Sequence, residues 1–472
     1  MEVVRSAELA ARVPRVAGGL AALGLRRGDV LALWLPNLPE WLLLYLAATS
    51  LGVAVAAVNT RYRAVEVGHV LRASRARAIA YLPGFKAIDF EGILRDSGEQ
   101  PEIVLEHLPD GDPVAGGGEP DDLAILFTTS GTTASPKLAA HTRRSVELHA
   151  ANVAQAFDIR PGDVVLGALP LAGTFGFSGV MGALAGGVAV ALQPVFDADE
   201  AAAALSELGV THFNGSDAML KATLDSRRLR AGELRWRSGG FASFTGLAAE
   251  LVRRGDELGV NLHGLYGSSE CFALMASWSP ADRPELRRLA GGRPLPGIEV
   301  RIVEGELQVR GYNVMSGYLY NEDATARAFT EDGWFRTGDA VHPQDDGFAY
   351  LARMGDALRL RGYLVDPAEI EEHLGRHPAV ELAQVVGVPV AGEGDVPVAF
   401  VRLRSGVRAS EQELAEHCRR SIAGFKVPRR VVLVEDFPVT AGPNGVKIQK
   451  AKLREQAASL LTADARDARR HQ

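Results

Sequence analysis

Apolar residues along the first 110 positions recur in two alternating rhythms, one at helical spacing and one in short unbroken runs. Leu9 to Leu23 carries apolar residues at helical spacing and stops at Gly24, which predicts a helix, and Val30 to Leu35 is an apolar run of strand length. A second helix is expected from Glu40, followed by the strand VAVAAV, and LRASRARAIAYL repeats the order of helix then strand. Such alternation marks parallel sheets covered by helices, so the expected fold class is α/β. Gly111 to Pro120 is a glycine-rich loop, LAILF after it is a buried strand, and the alternation continues to about residue 290.

After residue 355 the texture changes to a compact α+β unit. Asp366, Pro367 and Glu369 combine an N-cap acid, proline at the first helical position and glutamate at the third, and Ser410 to Glu413 offers a second capping box. AQVVGV, PVAFVRL and RVVLVE read as strands between those helices. No internal repeat stands out, and the low-complexity part is a polar tail from Asp464 to Gln472.

Two uncharged stretches raise the question of a membrane. Trp41 to Val58 is uncharged for 18 residues, but Leu51-Gly52 splits it into a helix and a buried strand. Val164 to Phe196 is uncharged as well, yet seven glycines and two prolines interrupt it, so strand, loop, helix and strand is the expected order. No membrane span is expected. The 472 residues, 47% hydrophobic and 23% charged, suit a globular protein of two or three domains. Fifty-eight acids against 51 basic residues leave a net charge of −7, which argues against sequence-independent binding of a nucleic-acid backbone. Two cysteines cannot build a disulfide scaffold, and the charged start MEVVRSAELAARVPR lacks the apolar core of a secretory signal, so a cytoplasmic protein is expected. The eleven histidines show no H-E-x-x-H or Cys/His spacing, so no structural metal is expected.

The candidate chemistry begins at LFTTSGTTASPK, Leu126 to Lys137, where a buried strand empties into a loop of hydroxyls, a glycine and a lysine. Hydroxyls and exposed backbone N–H groups there suit a polyphosphate, with Lys137 adding positive charge, although a polar turn without ligand has the same composition. It is neither a Walker loop nor a dinucleotide fingerprint. Three further segments remove the ambiguity: LHGLYGSSE with Tyr266, Ser269 and Glu270, WFRTGD ending at Asp339, and PNGVKIQKAKLR with Lys447.

In this order and spacing the chain resembles the adenylate-forming superfamily of acyl-CoA synthetases, peptide-synthetase adenylation domains and luciferases. The resemblance runs from GLRRGDVLALWLPNLPEW to Arg454 and includes GELQVRGYNVMSGYL, LARMGDALRLRGYLVDPAEIEEHL and FKVPRR; the last three look most like the acyl-CoA ligase branch. It implies a large N-terminal domain of stacked α/β subdomains plus a β-rich subdomain over residues 1–353, a hinge at 354–355 and a small mobile α+β domain over 356–472, with the site between the two domains. It also implies ATP or an acyl-adenylate, Mg²⁺ and coenzyme A as cofactors. Thr129, Ser130, Gly131, Thr132, Thr133 and Lys137 correspond to the loop that holds the ATP phosphates. Tyr266 would face the adenine, with Gly240, Phe241 and Gly267 in the nucleotide-binding set. Ser269 would lie near the α-phosphate, Glu270 would help hold Mg²⁺, Asp339 would grip the ribose hydroxyls and Arg353 would contact ribose or phosphate. Lys447 would bridge the substrate carboxylate and the α-phosphate. Rotation at Gly355 would then bring Gly362 to a tunnel for the thiol arm of CoA.

The chain departs from the family in the phosphate loop, where Ala134 and Leu138 replace two glycines, and at the hinge, where Gly355 stands for a usual Asp or Lys. Around the C-terminal lysine the family's Gly-Lys-Ile becomes Val446-Lys447-Ile448, preceded by an extra-looking Pro443-Asn444-Gly445. Alanine disfavours positive φ and leucine adds bulk. An alternative to the complete ligase is therefore an enzyme that only thioesterifies an adenylate supplied by a separate enzyme; another is an adenylation enzyme serving a carrier protein. PLAGTFGFSGVMGAL carries no carboxylate to pair an amino acid's ammonium. Gly173, Gly176 and Gly179 would leave volume there while Phe175 and Phe177, with Phe241, give apolar walls, so a bulky, largely apolar acid is expected. Helix packing is the competing explanation of those glycines. Arg359, Arg361, Lys426 and Arg429 are basic candidates for the CoA nucleotide, with simple solvation as the alternative.

Overall fold

Thirteen strands, parallel and antiparallel, form one long sheet among the described residues in a computed structural model of the chain. The structure describes all residues except 1, 5, 130–135, 243–247, 355–357, 361–362, 366, 391–392, 443–444 and 471–472. It leaves out some further side chains, those of Arg353 and Lys447 among them. Two compact units emerge, residues 1–129 with 137–354, and residues 355–472 with 130–136.

In the first unit the smaller sheet carries, in order, strands Gly317–Tyr318, Lys137–Thr142, Leu123–Thr129, Ala54–Ala57, Val30–Trp34, Ala78–Tyr81 and Ile103–Leu105. Its Val30–Trp34, Ala54–Ala57 and Ala78–Tyr81 strands pair in parallel, as the helix-then-strand alternation requires. The helix Pro39–Ser50 between two of them is buried along most of its length, with Trp41 and Tyr45 packed on Phe177. The first uncharged stretch is thus a core helix followed by a core strand. The second is strand Val164–Gly167, helix Thr174–Ala185 and strand Ala189–Leu192. Among the described residues no helix is long and apolar enough to cross a membrane.

The long sheet starts with Glu2–Val4 antiparallel to Ala189–Leu192 and continues through parallel strands Ala189–Leu192, Val164–Gly167, His212–Phe213, Ser238–Ala242 and Asn261–Tyr266. Beyond Tyr266 it continues antiparallel through Ala276–Ser277, Gly291–Pro294, Gly347–Arg353, Phe335–Gln344, Glu306–Gly311 and Ile298–Val303. This antiparallel part is the β-rich region. Two-residue turns join Ile298–Val303 to Glu306–Gly311 and Phe335–Gln344 to Gly347–Arg353, and connections that short can pair strands only antiparallel.

The second unit holds strands Leu358–Leu360, Tyr363–Val365, Val380–Val390, Gly394–Leu403 and Arg430–Leu433, with helices Pro367–Gly375, Glu411–Ser421 and Lys450–Arg470. Ser410 and Glu413 form the expected capping box. Asp366 lies outside the described residues, and the polar tail forms the end of the last helix as far as Arg470. Two of the basic candidates for CoA are engaged within this unit. Lys426 Nζ donates to Glu369 Oε2 at 2.7 Å in a buried pair, and Arg429 bonds Glu393 at 2.9 Å. The side chain of Arg359 and the whole of Arg361 are not described.

Candidate active site

Strands Leu123–Thr129 and Lys137–Thr142 are antiparallel neighbours, with Thr129 opposite Lys137 and Thr128 opposite Leu138. They are the stem of the hydroxyl-rich loop; Ser130, Gly131, Thr132, Thr133 and Ala134 lie outside the described residues. Thr129 closes the stem with a buried hydroxyl that no described atom bonds, an orphan polar group at the mouth of a loop suited to phosphate. Side chains alternate along the second strand. Lys137 sets its Nζ 4.3 Å from the centroid of the Tyr318 ring. Leu138, on the opposite face, is 2% exposed and packs in a core with Trp34, Val67, Leu126 and Ala140. The bulk that Leu138 adds therefore lies in the core beneath the sheet.

Glu270 lies across from this stem, 8% exposed, and accepts a hydrogen bond on Oε1 from the Tyr318 hydroxyl at 3.0 Å. Tyr318 thus touches the lysine with its ring and the carboxylate with its hydroxyl, a link that sequence reasoning missed although the residue lies in MSGYL. No described residue bonds Glu270 Oε2, which leaves a carboxylate oxygen for a hard cation, so Glu270 fits Mg²⁺. Ser269 Oγ approaches the Thr128 carbonyl at 3.4 Å, beside the same stem.

The turn that carries Ser269 and Glu270 is held from several sides. Met315 N–H donates to the Glu270 carbonyl at 2.7 Å and Asn313 Nδ2 to the Cys271 carbonyl at 2.8 Å. A side chain on Gly267 would meet the Phe272 carbonyl at 2.3 Å, so the chain doubles back there only because position 267 is glycine. Phe272 and Leu274 adopt φ of +57° and +65°, strained for residues with a Cβ. The Phe272 ring lies between His141, centroids 4.0 Å apart, and His149, 4.8 Å apart. Their Nε2 atoms bond the carbonyls of Ser269 at 2.8 Å and Ala273 at 2.7 Å, on either side of the strained residue. Both must be donors there, so both imidazoles carry the proton on Nε2.

Burial pushes the pKa of His141 and His149 down to about 4, and that of His263 likewise. The unfolded chain takes these protons near the ordinary value of 6.5 while the folded one refuses them, so stability is complete above about 6.5 and is lost as pH falls towards 4. At pH 5 each histidine should cost on the order of 1–2 kcal/mol. Thermal melts between pH 7.5 and 5 should therefore show a steady fall in Tm, and a flat profile over that range would contradict the burial of these rings.

Tyr266 ends strand Asn261–Tyr266, and its hydroxyl donates to Asp339 Oδ2 at 2.5 Å, both groups being buried. Its ring meets Phe348 edge-on, centroids 5.2 Å apart. The residues expected at adenine and ribose are thus joined to each other, and one acceptor position of the carboxylate goes to the phenol. Asp339 also donates its N–H to Thr337 Oγ1 at 3.1 Å, and it lies opposite Arg353 in the sheet register. Gly240 donates its N–H to Asn214 Oδ1 at 2.7 Å.

Two phenylalanines are placed differently from the expectation. Phe241 is 0% exposed within a core of Leu166, Phe213 and Leu251, so its ring is a core group. Phe177, 1% exposed, packs against Trp41, Tyr45 and Phe127 and is no wall of an acid pocket. Gly176 is likewise a packing glycine, since a Cβ would meet the Pro170 carbonyl at 2.4 Å. Gly173, Phe175 and Gly179 remain: Gly173 caps the helix Thr174–Ala185, and Phe175 is half-buried against the cluster that includes Tyr266. In the second unit Lys447 lies on a hairpin, Val439–Gly442 with Gly445–Ile448, opposite Thr440. The extra residues Pro443 and Asn444, outside the described residues, separate the paired Gly442 and Gly445. Gly355 and Gly362 also lie outside the described residues.

Known proteins resemble this chain in sequence and fold. Residues 6–319 match the AMP-binding enzyme family and residues 369–442 the AMP-binding enzyme C-terminal domain. The chain is 30% identical to the putative acyl-CoA synthetase YngI of Bacillus subtilis, over 95% of this chain and 91% of that protein. It is 31% identical to the 3-[(3aS,4S,7aS)-7a-methyl-1,5-dioxo-octahydro-1H-inden-4-yl]propanoyl:CoA ligase of Rhodococcus jostii, over 94% and 92%. Among solved structures, o-succinylbenzoate CoA synthetase (MenE) of Bacillus subtilis, a double mutant bound with a CoA product analogue, superposes with a TM-score of 0.82 at 26% identity, covering 95% of this chain and 93% of that one. Matched from near its start to its second unit, the chain belongs to the AMP-binding enzyme family, as an AMP-forming acid–CoA ligase that acts on a small-molecule acid with ATP and CoA.

Proposed function

We propose that the enzyme converts a bulky, largely apolar carboxylic acid to its acyl-CoA in two steps, through an acyl-adenylate, with the second unit rotating at Gly355 between them. The observation that carries this reading is the joint placement of Lys137 and Glu270 on Tyr318 beside the loop stem. A carboxylate attacking an α-phosphate brings anions together, so the step demands alignment and charge neutralisation more than a general base. Lys137 and the loop hydroxyls bind the phosphates, Asp339 and Tyr266 hold the nucleoside, and Lys447 aligns the two reacting anions. Glu270 would hold Mg²⁺, which would supply charge neutralisation for the leaving pyrophosphate. After rotation Lys447 is withdrawn, Arg353 stays with the nucleotide and Gly362 lines the path of the thiol, which attacks the acyl carbon and displaces AMP.

The thiol comes from outside the chain. Cys271 and Cys418 are buried, and burial pushes both up to about 12, so neither offers a thiolate at neutral pH. The buried place of Leu138 supports a complete ligase over one that borrows its adenylate, and nothing favours a separate adenylating partner. The Rhodococcus relative, named as the ligase of a fused-ring acid, supports the choice of a bulky acid.

The test is acyl-CoA formation by mass spectrometry across fused-ring, terpenoid and medium-to-long-chain acids. Each is offered free with ATP, Mg²⁺ and CoA, and again as its synthetic adenylate with CoA. Product from both forms is expected. Product from adenylates alone would overturn the two-step reading, and a preference for acetate or amino acids would overturn the bulky substrate.

A further inference from the structure

The helix Thr174–Ala185 carries glycines that do unlike things. At Gly176 and Gly182 a Cβ would collide, with the Pro170 carbonyl at 2.4 Å and the Val153 side chain at 2.6 Å, so packing accounts for both. At Gly179 no such collision is found among the described residues. A Cβ there would meet a single described atom within 4 Å, the amide nitrogen Nδ2 of Asn214 at 3.6 Å. An alanine would fit, and it would cover that amide.

Asn214 follows the strand His212–Phe213 and is half-buried. Its amide is oriented by its neighbour: Gly240 N–H is a donor, so the atom that receives it at 2.7 Å must be Oδ1. That turns Nδ2, with two N–H donors, towards the gap at Gly179, and no described residue accepts a hydrogen bond from it. Phe175 lies four residues before Gly179, on the same face of the helix, and packs against the cluster that contains Tyr266 and Leu265. An apolar wall and a neutral donor that no described residue engages thus share one side of the gap.

We infer that Asn214 is a specificity-determining residue, and that the preferred acids carry a carbonyl or hydroxyl oxygen on an otherwise apolar skeleton, placed to accept from Asn214 Nδ2. The inference rests on the reading of the substrate as a bulky acid held against the Phe175 and Gly179 face. An acid of pure hydrocarbon would strip water from the two N–H groups and return no bond, whereas an oxygen in reach restores it. A partly exposed neutral donor should discriminate by about 10- to 100-fold in kcat/KM.

The test uses the full-length enzyme and a matched pair, a fused-ring carboxylic acid with a ring ketone and its deoxo analogue, with straight-chain acids alongside. The wild type should favour the ketone about 10- to 100-fold. Asn214→Asp keeps an acceptor for Gly240 but offers no donor, and Gly179→Ala covers the amide without touching Asn214; both should bring the ratio close to one. A folding defect would lower both rates and leave the ratio intact. Equal turnover of the pair by the wild type, or a ratio unchanged in both variants, overturns the inference alone. Turnover of straight-chain acids with neither ring acid accepted overturns the bulky-acid reading and this inference with it.

Discussion

A Lys447→Ala enzyme should form acyl-adenylate from free acid and ATP about 100- to 1,000-fold more slowly than the parent, yet convert a supplied acyl-adenylate to acyl-CoA at close to the parental rate. The first half-reaction drives a carboxylate onto a phosphate, and a charge-assisted donor aimed at both is worth most where the anions meet. The second half-reaction brings a thiol to an acyl carbon already activated, and in the proposed cycle Lys447 has left by then. The position suits removal of the side chain, for Lys447 sits on a two-stranded hairpin opposite Thr440 and its backbone pairing survives truncation to alanine. Pyrophosphate release reads the first step and thioester formation from synthetic adenylate reads the second. Equal losses in both would mean that Lys447 serves the fold of the hairpin, and the assignment would fall.

What was legible in the sequence followed from local rules. The helix that stops at Gly24, the strands of the first 110 residues and the capping box at Ser410 all depend on residues a few positions apart, and each appears in the structure. The ordered motifs at Lys137, Tyr266, Glu270 and Asp339 were legible because the family resemblance fixes their order. The bonds that join them were not. Tyr318 lies 48 residues from Glu270, and His141 lies 128 residues from the carbonyl it holds, so no periodicity relates them. Asn214 carries no motif at all, and its role depends on a glycine 35 positions earlier that leaves space beside it. Phe177 and Phe241 were misplaced for a different reason. Each neighbours a site residue in sequence, but adjacent residues in a helix or strand point to different sides, and both rings turned to the core.

The same rule decides the departure at Leu138. Returning this position to the family's glycine should destabilise the protein by about 3–5 kcal/mol and should not raise the rate of adenylation. The leucine is buried among Trp34, Val67, Leu126 and Ala140, on the face of its strand opposite Lys137, so Leu138→Gly would open a cavity in that core. It would also place glycine inside a strand, which adds backbone entropy to the loss. The stem that positions Lys137 would loosen as a consequence, because Leu138 pairs with Thr128 one step from the Thr129–Lys137 pair. Denaturant or thermal unfolding reads the first effect and pyrophosphate release the second. A stable variant that adenylates faster would restore the view that this leucine obstructs the phosphates. A destabilised variant with slower adenylation would mean that the leucine is the core residue this sheet requires, and that the family's glycine is dispensable where the strand beneath the loop is packed from the other side.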